Sequence, residues 1–67
     1  MTKTELLKRK ISESGLKIGY IAEKLGISVV CLNRKVNGLA KFWQNEIVIL
    51  RDLLRLTDRE VVDIFLS

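Results

Sequence analysis

The 67-residue chain has no histidine, no proline and one cysteine, Cys31. A single thiol cannot form a disulfide within the chain. With one thiol and no imidazole, a four-ligand structural zinc site is excluded. Histidine is absent and no acid/base or nucleophile constellation survives inspection, so an enzyme is not expected. Glu23, Glu46 and Asp52 read as helix-surface charges. Long apolar runs are missing as well. The run Ile47 to Leu50 is far too short to span a bilayer. The charged N-terminus MTKTELLKRK does not read as a signal peptide. A soluble, cytoplasmic protein is expected, and a lone thiol suits a reducing compartment. No cofactor is called for. A chain of this size holds one domain around one small core, for which helix packing and dimerisation remain as sources of stability.

Charge is present, and unevenly. Residues 1–41 hold nine Lys/Arg and three Glu, a net of +6, whereas residues 42–67 hold three Arg and five acids, a net of −2. A local positive excess suits a polyanion, and double-stranded DNA comes first. The competing reading is a solubilising surface.

Glycines and short polar residues punctuate an otherwise helical pattern. A first helix is expected over Thr4 to Ser14, opened by a Thr2/Glu5 capping box and closed by Gly15. A second runs from Ile18 to Leu25, with Ile18, Ile21, Ala22 and Leu25 on one apolar stripe. Gly26 ends it. Ser28 then caps a third helix, Val29 to Asn37, stopped by Asn37-Gly38. Helix, tight glycine turn, helix: residues 18–37 have a helix-turn-helix outline. After a loop from Leu39 to Gln44, a fourth and largely buried helix is expected over Asn45 to Arg55. Thr57 and Glu60 have capping-box spacing and open a fifth helix reaching Leu66. The expected fold is all-α, with five short helices.

At about 100° per residue, Leu32 and Val36 mark the inward face of the third helix. Val29 lies beside that face and is expected to be at least half buried. Val30, Asn33, Arg34 and Asn37 form a stripe away from it, with Cys31 and Lys35 on the flank. Arg can contact guanine bidentately, and Asn can do the same to adenine. Valine has no hydrogen bond to offer but can pack on a thymine methyl.

The stretch I-A-E-K-L-G-I-S-x-x-x-L-N-R-K-V-N-G resembles the helix-turn-helix of the Cro/CI (lambda repressor-like) family, particularly small phage-encoded regulators. Ala22 matches the small residue at the helix crossing and Gly26 the turn glycine. Ile27 and Leu32 match the apolar pair behind the recognition helix, and Asn37-Gly38 its end. With the flanking helices, the likeness covers nearly the whole chain. It implies a lambda repressor-like domain that inserts its third helix into the major groove of an operator, as a homodimer, to repress or otherwise control transcription. The implied base-reading positions are Ser28, Val29, Val30, Asn33 and Arg34, with Arg34 the principal reader. Lys17, Lys35, Asn37 and Lys41 are candidate phosphate contacts, which position a protein without reading sequence.

Four residues depart from the family pattern. Ile18 replaces a phosphate-contacting Gln. Val29 and Val30 stand where polar readers are common. Trp43 stands where a capping Ser or Thr is expected. The family pattern also makes Phe42 the core aromatic and leaves Trp43 near the surface. In the last helix Val61, Ile64 and Phe65 share an inward face. Val62 and Leu66 point elsewhere and, with Trp43, form the expected dimer interface. Frayed terminal residues are the alternative there. A rival function follows from Val29, Val30 and Cys31. They can form an apolar docking patch, making the chain an antirepressor-like modulator that binds another regulator protein. Cys31 itself reads as a small filler in preference to a redox switch.

Overall fold

The computed structural model describes residues 2–66. These form α1 (Thr4–Ser14), α2 (Ile18–Leu25), α3 (Val29–Val36), α4 (Gln44–Leu54) and α5 (Asp58–Val61), which continues as a π-helical turn over Val62–Leu66. The architecture is all-α, with no strand among the described residues. Among the described residues, no helix is long and apolar enough to cross a membrane.

The elements hold together because each contributes to one core. Leu7, Ile21, Leu32 and Leu50, one from each of α1 to α4, are fully buried together with Ile64 of the π turn. Burying such a side chain is worth about 1.5–3 kcal/mol. Helices of eight residues, such as α2 and α3, are marginal in water on their own. Convergence on this cluster is what makes them persist. Leu25, Val36, Leu54, Leu56 and Phe65 complete the buried set around Ala22.

The helix ends follow local chemistry in most places. Gly26 adopts φ 72° and closes α2. Its N–H donates to the Glu23 carbonyl (3.1 Å), and the Ile27 N–H donates to the Ala22 carbonyl (3.0 Å). Gly38, at φ 79°, does the same for α3. There the Gly38 and Leu39 amides donate to the carbonyls of Lys35 and Arg34 at 3.1 and 2.8 Å. Both are glycine-dependent terminations that satisfy carbonyls the helix would leave open. The expected Thr57/Glu60 capping box is formed, with Glu60 N–H to Thr57 Oγ1 at 3.1 Å and Thr57 N–H to Glu60 Oε1 at 2.9 Å.

Some expectations are corrected. The Thr2/Glu5 box is not formed. The cap of α1 is Lys3, which has no side-chain acceptor. The Lys3 N–H instead donates to the Ile64 carbonyl at 2.7 Å, tying the start of the chain to its last turn. α3 stops at Val36 with Asn37 as its cap, and α4 spans Gln44–Leu54, one residue earlier than expected at each end. The fifth helix is not α-helical to its end. Its final turn is π-helical, and Ile64 and Phe65 are both buried there. Phe65 meets Phe42 edge-to-face, with ring centroids 5.4 Å apart. Phe42 is thus the core-side aromatic and Trp43 the exposed one, as expected.

Candidate nucleic-acid interface

α2 and α3 follow one another across the tight turn through Gly26 and Ile27. Ser28 sets the start of α3. Its Oγ accepts from the Cys31 N–H at 3.1 Å. The side chain is therefore committed first to capping. Leu32 and Val36 anchor the inward face of α3 and leave the opposite face to solvent.

That outer face carries the expected stripe. Val30, Asn33, Arg34 and Asn37 are all exposed. Arg34 has no ion-pair or hydrogen-bond partner for its guanidinium among the described residues, and neither has the Asn33 side chain. The Asn37 amide nitrogen donates to the Asn33 carbonyl at 2.8 Å, so part of its donor capacity closes its own helix. Val29 is 39% exposed and Val30 is 72% exposed. Val29 is thus exposed, though less so than Val30, which stands clear.

The cations divide into two groups. Lys17 and Lys41 are exposed. Lys17 caps α2 without a side-chain acceptor, so the first amides of α2 have no side-chain cap. Lys24, on the same helix, lies 5.5 Å from the centre of the Tyr20 ring.

Lys35 is different, and corrects the sequence reading. It is 5% exposed, with Nζ at 2.6 and 2.8 Å from the two carboxylate oxygens of Glu46. The ammonium also lies 6.0 Å from the centre of the Phe42 ring. Lys35 is therefore not a phosphate contact, because its charge is turned inward and already paired. Glu46, at 4% exposure, is likewise not a surface charge. Its Oε1 also accepts from the Trp43 N–H at 2.8 Å, in the first turn of α4. The indole cannot return the bond, so only the glutamate half of a capping box exists there.

The sequence reading missed this pair. Lys35 and Glu46 are eleven residues apart, on different helices, where no periodicity links them. One local signal was available: a glutamate three residues into a helix is placed to cap it.

Trp43, Val62 and Leu66 are 69%, 45% and 70% exposed. Leu39, at 70%, adds an exposed apolar residue that the sequence reading did not single out. It rims an open groove floored by Phe42, Ile47 and Phe65. Among the described residues no cluster of three or more His, Cys, Asp or Glu could hold a metal ion. Comparisons with protein-family models, curated proteins and solved structures found no match for this chain.

Proposed function

We propose that this chain is a sequence-specific DNA-binding transcriptional regulator, a Cro-like repressor that lays α3 in the major groove of an operator. One observation carries the reading. Asn33 and Arg34 stand unpaired among the described residues on the outer face of the second helix of a helix-turn-helix, beside an exposed Val30. Unpaired Arg and Asn on a groove-sized helix are the side chains that recognise guanine and adenine edges. Arg34 is the principal reader, Asn33 the second, and Val30 a contact for a thymine methyl. Ser28 and Val29 border that contact. Lys17, Lys41 and Asn37 hold the phosphates, with the uncapped first turn of α2 adding backbone donors. Two copies bind together, joined through Trp43, Val62 and Leu66. The work is done in the cytoplasm, with no chemistry and no cofactor.

A second reading is favoured by the exposure of Val30 beside Val29 and Cys31. In it, the front of α3 docks on another regulator protein and the chain acts as an antirepressor.

Binding to random-sequence duplexes at two salt concentrations separates the two. A two-fold symmetric motif with a guanine in each half-site supports the operator-binding dimer and Arg34. Binding without enrichment that falls steeply with salt reduces the interaction to phosphates. No binding at low salt overturns the DNA reading in favour of the docking patch.

A further inference from the structure

A buried ion pair is a poor way to gain stability. Desolvating both charges offsets most of their attraction, and a well-packed apolar pair in the same space is often as stable. The core of this domain already anchors α3 through Leu32 and Val36. What an ion pair adds is direction. Both oxygens of Glu46 take the Lys35 ammonium at 2.6 and 2.8 Å, and one of them takes the Trp43 amide as well. One carboxylate thus holds two chain segments at once. On one side is α3, at the residue next to Arg34. On the other is the backbone of the exposed Trp43.

We infer that Lys35 and Glu46 are positioning residues: their ion pair fixes the roll of α3 against the first turn of α4 and its cap residue Trp43, and so sets the span from the base-reading stripe to the subunit contact at Trp43. The inference rests on the DNA-binding reading and its dimer. A base contact needs a donor within about 2.7–3.2 Å of its acceptor, so a small roll of α3 takes the Arg34 guanidinium out of reach. In a dimer, the span from reader to subunit contact becomes the spacing between half-sites. The pair touches no base, yet determines which spacing is accepted.

The test uses two double variants. Lys35→Met with Glu46→Leu removes both charges and keeps the volume. Lys35→Met with Glu46→Gln also removes both charges but keeps an oxygen for the Trp43 amide. Each is measured for thermal midpoint, for hydrogen exchange at the Trp43 amide, for the orientation of α3 by residual dipolar couplings, and for binding to duplexes with a series of half-site spacings. The first variant is expected to melt no lower than the parent, to lose protection at Trp43, to reorient α3, and to bind the preferred spacing roughly tenfold more weakly with a broadened preference. The second should keep Trp43 protected and still lose the spacing preference. A folded variant with the parent's α3 orientation and spacing preference overturns the inference. Failure of both variants to fold also overturns it, since the pair would then be structural. If the parent itself enriches no DNA motif, the functional reading fails, and the orientation of α3 alone decides the role of the pair.

Discussion

The ammonium of Lys10 on α1 meets the carboxylate of Glu60 on α5. The same carboxylate caps the Thr57 amide at 2.9 Å. One glutamate therefore joins the first helix to the last and also starts the last. The Lys10 contact, followed by the Thr57 backbone bond, holds the Glu60 carboxyl below its ordinary value of 4.5.

That shift gives stability a pH dependence of known sign. A carboxylate with a lowered folded-state pKa stabilises the fold above its unfolded value. Its contribution is complete above about pH 4.5 and is lost as the pH falls through the lower folded value. Thermal melts between pH 7 and pH 3 should show this decline. Glu60→Gln should melt lower at neutral pH and show a shallower acid slope. An equally steep slope in the variant would remove Glu60 as its origin.

Truncating one member of the Lys35–Glu46 pair should be severe. Lys35→Ala leaves a buried carboxylate without a counter-charge, and such a loss costs about 3–5 kcal/mol. A small domain has a total stability on the order of 5–15 kcal/mol, so chemical denaturation should show a large fall in midpoint. An exposed lysine reaching for phosphate would instead leave stability within about 0.5 kcal/mol of the parent.

Arg34→Ala should behave in the opposite way. The side chain is exposed and unpaired among the described residues, so the fold should be unaffected. Operator binding should weaken by about 1–3 kcal/mol, with preference relaxed at one base pair of each half-site. Lys41→Ala, by contrast, should weaken binding to all sequences about equally and reduce the salt slope by roughly one. Titrations against a matched and a single-substituted duplex at several salt concentrations distinguish these patterns.

Trp43→Ser should raise stability and lower association together. Trp43 occupies the cap position of α4 without offering an acceptor, and its side chain is 69% exposed. A serine there can accept from the Glu46 amide and complete the capping box, a gain of about 0.5–2 kcal/mol. Circular dichroism melts at low concentration should record that increase. Sedimentation at rising concentration should show weaker self-association than the parent. Unchanged association would remove Trp43 from the subunit contact.

Most of the helical layout is decided by short-range features, and so is legible in the sequence. Gly26 and Gly38 terminate helices because their left-handed backbone costs a glycine little. Ser28 and Thr57 start helices because a short hydroxyl reaches an amide three residues on. The period of Ile21, Leu25, Leu32 and Val36 decides which faces turn inward. The exposed stripe of α3, with Asn33 and Arg34 on it, follows from that period alone. Only the tertiary structure decides the fate of Lys35. Its position on the helix wheel is a flank, and whether a flank is wet or buried depends on what α4 places against it. There it finds Glu46 and the Phe42 ring. The Lys3–Ile64 bond across the fold and the π turn at Val62–Leu66, with Ile64 and Phe65 both buried, belong to the tertiary structure as well. Caps and periodicity act over three or four residues and can be read in one dimension. The pairing of charges and the closing of the two chain ends act between segments that meet only after the core has formed.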